Sequence, residues 1–137
     1  MLHHRALSGY SLLNSIMEDI QDYAMSLELF RLAWTDCAAA SILQSSNIEN
    51  LRHCLENLVT YSKEMLVETK SIRTNNTEQL LQIRKELDEL EKSLIERFRG
   101  RDVNTISEKV RILQFFEEQE TTVNKILEAS IVLCQSH

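Results

Sequence analysis

A chain with no proline and only two glycines, Gly9 and Gly100, in 137 residues has almost nothing with which to build turns. At average usage, roughly 7% Gly and about 5% Pro, it would carry about sixteen such residues. Tight turns and strand connections draw on the positive φ of glycine and the fixed φ of proline. An all-β domain is therefore excluded, and a few long helices joined by short polar connections remain. Hydrophobic residues make up 43% of the chain and charged residues 26%, which is too apolar for a disordered segment. The length suits one domain over residues 1–137, with residues 1–10 expected as a flexible N-terminal segment.

Apolar spacing places the helices. Leu13, Ile16, Ile20, Tyr23, Leu27, Phe30, Trp34 and Cys37 recur at alternating steps of three and four, a heptad seam that reaches Ser41. Leu12, Met17 and Ala24 widen it into a core-facing stripe. Helix 1 is thus expected from about Ser11 to Leu43. Gln44-Ser45-Ser46-Asn47 breaks the pattern, and Ser46 with Glu49 fits a capping box. A second helix carries Ile48, Leu51, Leu55, Leu58, Met65 and Ile72 inward, with Val59 and Leu66 beside them. Ser62 and Thr69 fall on the same seam and weaken its second half.

The run Thr74-Asn75-Asn76-Thr77 favours a turn, because these side chains compete for backbone groups. Phase agrees. The seam carried on from Ile72 would land on Asn76, Gln79, Ile83 and Glu86, yet the apolar set is Leu80, Ile83, Leu87, Leu90, Leu94 and Phe98. A one-residue slip predicts a break, with one continuous helix and an extended coiled-coil-like dimer as the alternative. Helix 3 is expected over about Glu78–Arg99, its outer face carrying the pairs Arg84/Asp88, Lys85/Glu89, Asp88/Lys92 and Lys92/Glu96. Gly100 suits the position after its end. Helix 4, capped by Asp102 or by Thr105 with Glu108, is expected to run to Cys134 with Ile106, Val110, Leu113, Phe116, Val123, Leu127 and Ile131 inward. Its middle, Glu117 to Thr122, is nearly all polar. The expected fold is an all-α, up-down-up-down four-helix bundle whose first and last helices are the longest.

Three widely spaced cysteines without a C-x-x-C pair point to a reducing compartment, hence the cytoplasm. The N-terminal residues hold no signal-like apolar run, and no stretch approaches the roughly 20 apolar residues of a membrane span. A net charge of -6 makes nucleic-acid binding unfavourable.

Chemistry finds little purchase. No Glu-x-x-His or His-Glu-x-x-His occurs, so the metal sites common in bundles are missing. Bundle topology could gather His3, His4, Cys134 and His137 at one end as a zinc set, though termini fray. His53 invites comparison with phosphotransfer bundles, but it is followed by neither Lys nor Gly, and Glu56 would oppose a phosphoryl group. Cys54 beside His53 is no dyad, since adjacent helical residues diverge. Two glycines cannot form a phosphate loop. No cofactor is expected.

What remains is a surface for partners. Arg97, Arg99, Arg101, Lys109 and Arg111 cluster at the helix 3–4 turn, diluted by Glu96, Asp102 and Glu108, while Glu18, Asp19 and Asp22 mark helix 1. Phe115 and Phe116 are adjacent, so one of them is expected half exposed, with Tyr10 and Tyr61 as similar anchors. The candidate partner-binding residues are Arg97, Arg99, Arg101 and Phe115, with Glu117 and Glu118 from the polar stretch. These observations favour a non-enzymatic helical-bundle interaction or adaptor module that meets a partner helix in a groove or on a face, with a homodimer as one form of it. The run Asn76-Thr77-Glu78-Gln79-Leu80-Leu81, followed by Glu86-Leu87-Asp88-Glu89-Leu90, resembles one helix of small acidic flagellar export chaperones. That resemblance implies an alternative, a chaperone for an export substrate. A phosphotransfer or metal-binding bundle is the other alternative.

Overall fold

A computed structural model describes residues 9–42, 48–99, 101 and 105–135, apart from the side chains of residues 9, 10 and 12. It contains four helices: α1 (Gly9–Ile42), α2 (Ile48–Ser71), α3 (Thr77–Phe98) and α4 (Ile106–Gln135). Among the described residues there is no strand. The first ten residues, Ser46, Gly100, Asp102 and His137, on which several expectations rested, have no described side chains.

The helices form a four-helix bundle in which each packs against its two neighbours in sequence order around the ring, while the diagonal pairs do not abut. Contacts far apart along the helices give their relative sense. Tyr23 meets Ser130 of α4, whereas Trp34, eleven residues on, meets Phe115 and Phe116. Gln79 reaches Ala129, whereas Phe98 packs on Phe115. Cys37 touches Cys54 and Tyr23 touches Thr69. So α1 opposes α2 and α4, and α3 opposes α4. Pairing is most extensive between α1 and α2.

One continuous core fills the ring. The expected stripes of α2 and α3 are buried, including Ser62 and Thr69, except that Ile48 and Val59 are only half-buried. Those two hydroxyls do not open the seam: Ser62 Oγ donates to Val59 O at 3.0 Å and Thr69 Oγ1 to Met65 O at 2.5 Å. Self-satisfied hydroxyls escape the desolvation penalty of buried polar groups. On α1 the seam holds from Ile20 to Ser41, but Leu13 and Met17 are exposed.

Helix α4 departs most from expectation. Its buried line is Ile112, Phe115, Phe116, Val123, Ile126, Ser130 and Leu133, whereas Ile106 is 83% and Val110 47% exposed. Leu113, Leu127 and Ile131 are half-buried. The helix carries two apolar lines, and the buried one passes through Ser130. That serine is acceptable inside because Tyr23 Oη lies 2.6 Å from its hydroxyl.

The break between α2 and α3 is real, over residues 72–76. Arg84 holds it. Instead of pairing with Asp88, its guanidinium donates to Thr69 O at 2.8 and 3.2 Å and to Ile72 O at 3.4 Å. A cation is thereby placed on the carbonyls that an α-helix leaves without partners at its C-terminus. Asp88 pairs with Lys92 at 3.0 Å instead. Arg84→Ala should lower unfolding free energy by about 1–2 kcal/mol, read by urea denaturation, with faster amide exchange in the last turn of α2. Unchanged exchange there would rule out the cap.

Candidate functional site

At the α3–α4 corner, the sequence-predicted residues turn largely towards one another. Arg97 Nη2 lies 3.6 Å from Glu118 Oε2, and its guanidinium carbon sits 5.9 Å from the Phe115 ring centre. Phe98 meets Phe115 edge-on at 4.8 Å. Trp34, half-buried, stands against Phe116 at 4.6 Å and Phe115 at 6.3 Å. The expectation that one of the adjacent phenylalanines is half exposed fails: Phe115 is 1% and Phe116 6% exposed. The reason is geometric. Their side chains diverge by about 100°, and α4 sits in a corner where one direction meets α3 and the other meets α1. With the bundle closed, Phe115 is a core residue and offers a partner nothing.

Arg99 and Arg101 are exposed, as is Glu117. The Arg99 N–H caps α3 by donating to Ile95 O at 3.2 Å, and the Arg101 N–H donates to Phe98 O at 3.3 Å. Thr105 Oγ1 accepts the Glu108 N–H at 3.1 Å, so the later of the two expected caps starts α4. Arg111 pairs with Glu108 at 3.2 Å. The corner therefore neutralises much of its own charge. In the polar stretch 117–122 no residue is buried, while Leu87, Leu90 and Leu94 of α3 stay covered.

Other candidate groups do not assemble. His53 is exposed on α2. Cys54 contacts Cys37 across the α1–α2 interface. Burial pushes the thiols of Cys37, Cys54 and Cys134 up, which keeps them protonated and poorly nucleophilic. Tyr61 is half-buried. Asp19 and Glu68 lie with Asp22 where the first half of α1 meets the end of α2. Partial burial raises both carboxyls first, repulsion from Asp22 adds to it at each, and Arg73 partly offsets the rise at Asp19. Among the described residues no group of three or more His, Cys, Asp or Glu could hold a metal ion. Nor, among them, is any helix long and apolar enough to cross a membrane.

The surface missed by sequence reasoning is the outward face of α1. Leu13, Met17, Met25, Leu32 and Ile42 are all exposed and fall within about 120° of arc at 3.6 residues per turn. The charged residues in that arc are Glu28 and Arg31, and they pair with each other at 3.5 Å. By contrast, exposed positions of α2 include Glu49, Arg52, Glu56, Glu64 and Lys70, and those of α4 include Glu117, Glu118, Lys125 and Glu128. On α4, Leu127 and Ile131 are half-buried against the core. Glu18, Asp22 and Asp36 are exposed elsewhere on α1, so it is this arc, and not the whole outer surface of the helix, that is poor in charge. Of the five, Met17 and Ile42 fall on a heptad line one residue on from the core seam, Leu13 belongs to the seam itself, and Met25 and Leu32 lie one residue further out. Comparison with known protein families, with curated proteins and with solved structures gives no match.

Proposed function

We propose that the chain is a non-enzymatic protein–protein interaction module that receives an amphipathic helix on the outward face of α1. The observation that carries this reading is the concentration of exposed apolar side chains on one helix, with a single self-compensating ion pair among them. Contiguous exposed apolar surface is the usual mark of a binding face, whereas scattered residues are not. A helix laid along it would use anchors at helical spacing. Three free thiols suit a reducing compartment, so the reading places the protein in the cytoplasm. The excess of acid leaves nucleic acid an unfavourable partner.

The test compares wild type with Met25→Asp/Leu32→Asp as baits in affinity purification from the native source. Both positions are solvent-exposed, so melting curves should be unchanged. Capture of the helical partner should fall by about tenfold or more. Charge reversal at Arg99 and Arg101 serves as the contrast and should leave capture intact. If Arg99/Arg101 reversal abolishes capture and the α1 substitutions do not, the interface is the α3–α4 corner and the reading is wrong.

A further inference from the structure

We propose that the helix received by this face is α1 of a second copy, laid antiparallel, so that two chains form a two-fold symmetric dimer centred on Glu28 and Arg31. The inference rests on the reading of the α1 face as an interaction surface, and adds the identity of the partner and the register.

The outward line of α1 runs Met17, Gln21, Ala24, Glu28, Arg31, Thr35, Ala38 and Ile42, alternating steps of four and three. It is a heptad line rotated about 100° from the core seam. Every member is exposed or half-buried. A two-fold interface between copies demands self-complementarity: if one residue contacts a second, the second must contact the first on the other copy. For two antiparallel copies of this line, the midpoint falls between residues 29 and 30. Reflection about it sets Met17 against Ile42, Gln21 against Ala38, Ala24 against Thr35 and Glu28 against Arg31. The ends are apolar on apolar. The inner layers pair small with small or polar residues, so the helices can approach closely. The centre matches acid with base, twice.

No such match follows from amphipathicity alone, which does not ask that the pattern survive reversal. Misalignment by one heptad would set Glu28 against Ala24 or Ala38 and leave it without a basic partner across the seam. The central charges therefore fix register and orientation, as polar residues do in helical zippers. Met25 and Leu32 flank the line on its outer side, each near the other's counterpart on the second copy. The seam from residue 17 to 42 is about 38 Å long at 1.5 Å per residue.

Charge swapping tests the proposal. Sedimentation or light scattering over a dilution series from millimolar to micromolar chain should show wild type as a dimer. Glu28→Arg and Arg31→Glu should each weaken association by about tenfold or more, because both central contacts become repulsive at once. The double swap Glu28→Arg/Arg31→Glu should restore it to within about threefold, since the complementarity is reinstated in reverse. Thermal melts confirm that each variant is folded, which exposed positions make straightforward. A wild type that stays monomeric at all concentrations overturns the dimer, as does a dimer indifferent to the single swaps. A monomeric wild type whose partner capture still depends on Met25 and Leu32 removes this inference alone and leaves the interaction reading standing.

Discussion

Replacing Phe115 by alanine should destabilise the bundle by about 3–5 kcal/mol, the range for deleting a buried aromatic ring. Phe115 is fully enclosed, and its ring meets Phe98, Trp34 and Phe116 on three sides. It ties α3 and α4 at the end of the bundle where α4 then turns polar for six residues. No buried side chain of α4 lies between Phe116 and Val123 to compensate. Domains are stable by only about 5–15 kcal/mol in total, so urea denaturation should show a large fall in midpoint. Phe115→Leu, which keeps most of the volume, should cost far less. The surface neighbours offer the contrast: Arg97→Ala removes an exposed ion pair and a cation–ring contact, together about 1 kcal/mol or less. A loss below about 1 kcal/mol for Phe115→Ala would mean that the corner is open to solvent and that the residue is available to a partner after all.

The two middle helices were readable because their outer faces are unambiguous. On α3, the buried set Leu80, Ile83, Leu87, Leu90, Leu94 and Phe98 is opposed by Glu78, Lys85, Glu89, Lys92 and Glu96, so only one rotation of the helix buries the apolar side. The turn before it was legible from phase, since a one-residue slip cannot be absorbed by a continuous helix without exposing one of the two stripes. Helices α1 and α4 lack that contrast. On α4 both Ile106–Val110–Leu113 and Ile112–Phe115–Phe116 are apolar. The choice between them is made by Tyr23 and Trp34, far away in the chain, which select Ser130 and Phe116. Periodicity treats serine as a gap in a stripe, whereas a hydroxyl partner across the core makes it a member. Arg84 was misplaced for a related reason. Spacing of four suggested Asp88, but the carbonyls at the end of α2 are a denser concentration of acceptors and sit within reach only once the turn is folded.

Charge density is a poor guide to the candidate site. Basic residues cluster around the α3–α4 turn, yet Arg97 and Arg111 are engaged by Glu118 and Glu108. The more unusual feature is one outward line of α1 that is poor in charge. Along α1, Met17 to Ile42 presents an outward line whose only ions compensate each other, in a chain that carries a net -6. That deficit of charge is visible before folding, but which face of α1 points outward depends on the packing of Tyr23, Phe30 and Cys37. The core line and the surface line are neighbours on one helix, so what holds α1 in place also decides what it shows.

Tyr23 is the strongest of those constraints, and alkali should expose it. Its hydroxyl lies 2.6 Å from Ser130 Oγ and also bonds Thr69, joining α1, α2 and α4 in one fully buried polar layer. Burial chiefly pushes the phenol up to about 12; the bonds to Ser130 and Thr69 pull the other way, and the nearby Cys134 adds to the rise. In the unfolded chain a phenol titrates near 10. Because the folded value is the higher one, the native state favours the neutral ring, and this contribution is complete below about pH 10 and lost as pH rises from about 10 to 12. A difference of about two pH units corresponds to about 2–3 kcal/mol. Unfolding free energies measured by urea across that window should therefore fall more steeply for wild type than for Tyr23→Phe. Groups that do not touch Tyr23 are common to both proteins and cancel in the difference. Near neutral pH the variant should lose only about 1 kcal/mol, the cost of leaving Ser130 without the Tyr23 hydroxyl. The two profiles should thus converge and then cross as alkali removes from wild type a stabilisation the variant never had. Parallel profiles from pH 9 to 12 would show that the phenol ionises inside the fold at no cost, and the polar layer would then have no part in setting the face that α1 presents.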